Sequence, residues 1–276
     1  MTMIPRRTLL KLAAGLPALA ASLAATPALS RAAGKPAAKT YVLAHGSRHG
    51  GWCWRPVAER LRAQGHRVFA PSFTGMGDRA HLLARNITID TFVEDLVQVI
   101  ESEELENVIL VGHSFGGIPI SGVADRIPQR IAHLVYFDSI VLQSGQNAFS
   151  VYPKADADGR IAAASKATDG LAVPIPDPLP GAWGLKDGTP EQAWVKRRLT
   201  PHPLASYTTP LTLRHAVGNG RPRTYIHCTE PELAVLEASR QWVKSQSGWN
   251  WIDLAGPHEA HITHPDAFAR LLLDLS

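Results

Sequence analysis

Short unbroken apolar runs alternate along this chain with longer segments whose apolar residues recur three or four apart. Thr40-Tyr41-Val42-Leu43-Ala44 is the first run and reads as a strand buried on both faces. Residues 56–64 carry helical spacing and stop at Gly65. His66-Arg67-Val68-Phe69-Ala70 predicts a second strand, and residues 71–78, with Pro71, Gly75 and Gly77, a loop. From Thr88 or Asp90 to Glu103, Phe92, Val93, Leu96, Val97 and Ile100 fall on one helical face. Val108-Ile109-Leu110-Val111 and Ile131 to Phe137 are two more apolar runs, separated by a segment that can wind into a helix. Strand and helix in strict alternation imply an α/β fold: a mostly parallel central sheet with helices on both faces.

Residues from about 140 to 220 break that alternation. They hold eight prolines between Pro174 and Pro210 and scattered aromatics, Phe149, Tyr152, Trp183, Trp194 and Tyr207. A structureless insertion of that length is uncommon inside a domain. The expectation is a small cap of short helices and extended pieces, with aromatics that line a pocket or pack within the cap. The alternation then resumes with a strand over 223–228, a helix over 232–245, a strand over 249–254 and a closing helix over 265–275.

Composition narrows the class. A chain of 276 residues suffices for one large α/β domain with a full core. The formal charge of +4 is spread with both signs mixed and forms no basic block with interleaved aromatics, which argues against a nucleic-acid partner. Two cysteines, Cys53 and Cys228, make neither a disulfide framework nor a zinc site by themselves; one bridge or two buried thiols both fit. Arg6-Arg7 precedes an apolar stretch, Leu12 to Leu29, that ends in Ser30-Arg31-Ala32. This pattern predicts a Tat-type export signal over residues 1–32, removed to leave a domain over 33–276 in the periplasm or outside the cell, with no stable membrane anchor. Gly15, Pro17 and Pro27 favour that reading over a membrane span.

The chemistry concentrates where one apolar run breaks. Val108 to Val111 runs into Gly112-His113-Ser114-Phe115-Gly116-Gly117, a Gly-x-Ser-x-Gly turn between strand and helix. Such a turn holds the serine in strained backbone and lifts its hydroxyl above the sheet edge, and glycines flank it because a Cβ would collide there. A serine needs a base, and the base needs a carboxylate to orient it. In the expected chain order the histidine comes last: His258 follows the last strand, His261 is intermediate, and His264, before Pro265, reads as a capping or packing residue. A metal site of His258, His261 and His264 is disfavoured, because Pro265 interrupts a helical face. Asp138 ends one strand and Glu230 follows another, and either can supply the acid; Glu230 and Glu232 also suit a helix start. The glycine-rich loop His45-Gly46-Ser47-Arg48-His49-Gly50-Gly51 is placed to complete an oxyanion hole.

With these residues in view, the loop from His45 to Trp54, the elbow around Ser114 and Gly256-Pro257-His258 resemble the α/β-hydrolase group of plant hydroxynitrile lyases, methyl-salicylate-type esterases and their bacterial esterase relatives. The resemblance spans nearly all of residues 33–276 and is weakest in the cap. It implies Ser114 as nucleophile, His258 as base and the Ser47 and Phe115 amides as oxyanion hole. Plant members carry their acid after the strand matching Arg223–Cys228, where this chain has Glu230 instead of Asp; bacterial relatives resemble Tyr136-Phe137-Asp138. The lyases carry threonine in place of Gly46 and lysine in place of Glu259, so the resemblance implies ester hydrolysis over cyanohydrin cleavage. The expected activity is a serine carboxylesterase on small, aromatic-bearing esters, without cofactor or metal. The alternatives are a C–C lyase or a small-molecule receptor on the same fold. The expected partners are a small-molecule ester and, for a homodimer, a second copy of the chain.

Overall fold

Every apolar run becomes a strand of one sheet in the computed structural model, which describes residues 37–275. The first half contains β1 (Thr40–Ala44), α1 (Arg55–Ala63), β2 (Arg67–Phe69), α2 (Ile89–Ser102), β3 (Val108–His113), α3 (Gly117–Arg126) and β4 (Ile131–Phe137). The cap segment holds α4 (Lys154–Thr168), β5 (Ala172–Val173), α5 (Pro190–Lys196), β6 (His202–Pro203) and α6 (Leu204–Thr208). The chain then returns through β7 (Arg223–Cys228), α7 (Glu237–Ser245), β8 (Asn250–Leu254), α8 (Ala260–Thr263) and α9 (Pro265–Asp274). The six long strands pair in the order β2-β1-β3-β4-β7-β8, every pair parallel. β5 and β6 form a separate antiparallel pair.

Strand side chains alternate between two cores, as a period of two requires. Val42, Leu110, Leu134, Tyr136 and Tyr225 face α2 and α3, against Phe92, Leu96, Ile118 and Ile120. Tyr41, Leu43, Ile109, Val111, Val135 and Ile226 face α1 and α9, against Val57, Leu61, Phe268 and Leu272. Each fully buried side chain of this size contributes roughly 1.5–3 kcal/mol of transfer free energy. All six residues of β3 are buried, which is why its sequence shows no polar alternation.

Two details differ from the sequence pattern, and a third decides between two expectations. Residues Gly77–Leu82, expected as a loop in part, form a 3-10 helix. The helix expected over 232–245 starts at Glu237 after a 3-10 turn at Ala234–Leu236, with the Arg240 guanidinium donating to the Leu233 carbonyl, Glu232 and Glu237. Cys53 and Cys228 are free buried thiols, and burial raises both above their usual range. The export signal expected over residues 1–32 lies outside the described residues. Among those described, no helix is long and apolar enough to cross a membrane.

The topology places the site. β1 and β3 are neighbours, with Ala44 opposite Gly112, yet β1 connects onward to β2 on one side and β3 to β4 on the other. The loops leaving their C-terminal ends diverge and open a crevice between them, the usual ligand position in an open α/β sheet.

Candidate active site

Ser114 sits at the tip of β3 with φ of 54°, in the left-handed region that a β-carbon disfavours. Backbone packing around it is close enough to need glycine. A Cβ on Gly112 would lie 2.5 Å from the Gly116 carbonyl oxygen, and one on Gly116 would lie 2.7 Å from the Ala44 carbonyl oxygen. The strained turn is anchored from the loop after β4: the Ile140 N–H donates to the Ser114 carbonyl at 2.9 Å, and the Ser139 hydroxyl donates to the Gly112 carbonyl. Phe115 opens the helical turn that leads into α3, so its backbone N–H belongs to a helix start, where developing negative charge is favoured.

His258 lies on the loop between β8 and α8, held from the cap by its N–H to the Ala182 carbonyl at 3.3 Å and the Glu259 N–H to the Trp183 carbonyl at 3.2 Å. Its Nδ1 donates to Asp138 Oδ2 at 2.6 Å, and both residues are buried. The carboxylate accepts, so Nδ1 keeps the proton and Nε2 carries the lone pair of the neutral ring. Asp138 turns out of β4 with φ of 38°; its N–H donates to the Ile226 carbonyl at 2.7 Å, and its Oδ1 accepts the Cys228 N–H at 3.4 Å. Ser114 and His258 line one cavity of about 600 Å³, mouth included, whose other walls include Gly46, Ser47, Tyr152, Trp183 and Leu236.

The loop after β1 is fixed at both ends. His45 Nδ1 donates to the Gly46 carbonyl at 2.8 Å, and its Nε2 accepts the Phe73 N–H at 3.0 Å. Both bonds suit the neutral ring, and burial lowers its pKa to about 4. Ser47 shares a 2.7 Å hydrogen bond with the Tyr207 hydroxyl of α6. Arg48 (φ 67°) sends its N–H to His202 Nδ1 and its Nε to the Pro174 carbonyl, and its own carbonyl accepts the Thr200 N–H. Ser47 is thus held beside Ser114 by residues of the cap.

A cluster of buried polar groups adjoins His258. His113 Nε2 donates to the His258 carbonyl at 3.0 Å, and the two rings lie 4.4 Å apart. Burial, then the neighbouring imidazoles, hold His113 well below the usual histidine range, so its Nδ1 is a bare lone pair. Glu259 is 1% exposed. Its carboxylate approaches His49 Nε2 at 3.5 Å and His261 Nε2 at 3.6 Å. Burial pushes its pKa up to about 7.

The structure separates the residues that the sequence had left as alternatives. Glu230 is exposed and reaches the neighbouring loop only through its N–H to the Gly256 carbonyl, while the imidazole N–H it was expected to orient is held by Asp138. The reason is topological: β4 ends between β3 and β7, closer to the cavity than the exposed turn after β7. Glu232 is also exposed and pairs with His227 and Arg240. His261 packs on Trp54 behind His113. His264 is exposed, bonds Thr263 through Nδ1 and gives its carbonyl to the first turn of α9. Tyr207 and Ser139 were not singled out for these roles; no local signal ties a cap tyrosine to Ser47 or a loop serine to the elbow.

A parallel sheet with a strained serine at the tip of a central strand, and an aspartate-held histidine in the same cavity, define an α/β-hydrolase. Residues 41–271 match the model of the Alpha/beta hydrolase family, and the chain belongs to that family. It is 38% identical over 243 residues to a carbendazim hydrolyzing esterase of a Nocardioides species, covering 85% of this chain and 98% of that one. It is 30% identical over 260 residues to methylesterase 10 of Arabidopsis thaliana, covering 86% and 91%. An extracellular α/β-hydrolase of a Paenibacillus species, described as sharing structural and functional homology with tobacco salicylic acid binding protein 2, superposes with a TM-score of 0.71 at 25% identity, covering 86% and 98%. The family and the named relatives make this a carboxylesterase-type hydrolase.

Proposed function

We propose that the protein is a serine hydrolase that cleaves esters of small, aromatic-bearing acids or alcohols through an acyl-enzyme. The observation that carries this reading is the 2.6 Å bond from His258 Nδ1 to Asp138, which leaves Nε2 as a base in the cavity that also holds Ser114. His258 takes the Ser114 proton as the hydroxyl oxygen attacks the ester carbonyl. The oxyanion is met by the Ser47 and Phe115 amides. His258 then protonates the departing alcohol, activates a water and returns the serine as the acid leaves. The aromatic preference is supported by Tyr152 and Trp183 in the cavity wall. Esters are favoured over cyanohydrins because a buried carboxylate, Glu259, stands after the base where the lyases carry a cation.

Ser114→Ala is expected to lower kcat on a short-chain aryl ester by on the order of 10⁶. Wild-type-like turnover in that variant rejects the mechanism. A fluorophosphonate that labels the wild type alone separates an enzyme from a receptor. A panel of aryl esters graded in acyl length then reads the cavity size. The export reading is part of the same proposal: protein recovered from the periplasm or medium is expected to begin near Ala33, and a retained N-terminus there rejects it.

A further inference from the structure

Beside the base, three buried side chains bring potential ligand atoms together. One ligating atom from each of His113, His258 and Glu259 lies within 4.8 Å of the others. Each imidazole has its far nitrogen occupied: His258 Nδ1–H is donated to Asp138, and His113 Nε2–H to the His258 carbonyl. That fixes both tautomers and turns the remaining nitrogens into acceptors, the arrangement that metal-binding histidines adopt. His113 Nδ1 has no hydrogen-bond partner among the described residues, nor has Glu259 Oε2, and both atoms are buried. Gly46 keeps a side chain out of the space beside His113; a Cβ on it would lie 3.0 Å from that Nδ1 and 3.0 Å from the Ser114 Cβ. All three residues line the cavity with Ser114.

We infer that His113, His258 and Glu259 form an inhibitory site for a borderline divalent cation of the zinc type. Two imidazoles and a carboxylate are a zinc donor set. A hard ion such as magnesium, which prefers oxygen ligands and retains its water, does not fit it. The ion consumes the His258 Nε2 lone pair, so the base can no longer take the Ser114 proton. Asp138 stays in place and holds the ligating ring. Zinc therefore switches turnover off without displacing the triad. Binding does not depend on the hydrolase reading; the loss of turnover does.

Calorimetric titration of zinc into the metal-free protein tests the binding, with cobalt absorption as a second readout of geometry. One zinc per chain is expected, retained in Ser114→Ala and weakened about tenfold or more in Glu259→Gln and in His113→Gln. Aryl-ester turnover should fall as that site fills, recover on adding EDTA and ignore magnesium. Absence of one-to-one binding, or equal zinc affinity in wild type and Glu259→Gln, overturns the inference. So does loss of binding in Ser114→Ala. Should His113→Gln fail to fold by circular dichroism, Glu259→Gln carries the test alone. Zinc binding in a protein with no ester turnover would sink the hydrolase reading and leave this site standing; unimpaired turnover in saturating zinc would do the reverse.

Discussion

Two buried carboxylates flank the same imidazole, and they differ in what they are given to bind. Asp138, at the end of β4, receives a short N–H bond from His258 and a backbone N–H from Cys228. Glu259, next in the chain after His258, has only two imidazoles at 3.5 and 3.6 Å and one oxygen without a donor among the described residues. Burial is nearly equal, 0% against 1% exposure, and for Glu259 it pushes the carboxyl up to about 7. Proximity to the base does not make a carboxylate its orienting acid. Directed donors do, because a short bond from Nδ1–H fixes the tautomer and orientation of the ring.

The contrast breaks if the two carboxylates prove interchangeable. Asp138→Asn keeps the shape but inverts a hydrogen bond and frees the wrong tautomer, so kcat should fall by about 10⁴. Glu259→Gln, in metal-free buffer, should change kcat by less than about tenfold. Equal losses in the two variants would erase the distinction drawn above.

The same logic applied to a fully partnered imidazole gives a stability effect. Both His45 nitrogens are satisfied only in the neutral ring, and its pKa falls from 6.5 to about 4 on folding. Between those values the unfolded chain binds the proton and the folded one does not. Stability is therefore full above pH 6.5 and lost as pH falls through that window, by about 3 kcal/mol from this residue. Urea unfolding at pH 7 and pH 4.5 measures it; His45→Asn should show a shallower acid loss, whatever its stability at pH 7.

Smaller effects sharpen the picture further out. Tyr207→Phe removes the partner of the Ser47 hydroxyl without touching the reacting atoms, at a cost of about 1 kcal/mol, or roughly fivefold in kcat/KM. Glu230→Gln should leave steady-state kinetics within about twofold, since its side chain is exposed. A large loss there would restore it as a rival to Asp138.

The legible part of this molecule is the part where local pattern and tertiary role coincide. β3 reads as a buried strand because Val108–Val111 is apolar throughout, and β4 because its second half, Leu134–Phe137, is; burial on both faces requires it. The elbow was readable because the tight approach of Gly112 and Gly116 to neighbouring backbone admits no side chain. The choice between Asp138 and Glu230 was not, since it depends on strand order: β4 pairs with both β3 and β7, and no spacing along the chain reports that. The cap was opaque for another reason. α4 buries only Ala157 and Ala164 along its length, so it carries no apolar stripe to read. Its neighbours meet the site through single contacts such as Tyr207 with Ser47. The polar cluster behind the base escaped because His49, His113 and Glu259 are far apart in sequence and each looks ordinary alone.

The stitching of Ser47 and Arg48 to α6, β6 and the strand-and-loop segment around Pro174 bears on how substrates get in. A covering piece that swung aside on each cycle would drag the loop with it and, on the proposed mechanism, dismantle one half of the anion cradle. On that reading substrates would enter past a stationary cap, and discrimination among molecules would fall on what fits the passage rather than on what triggers a closure.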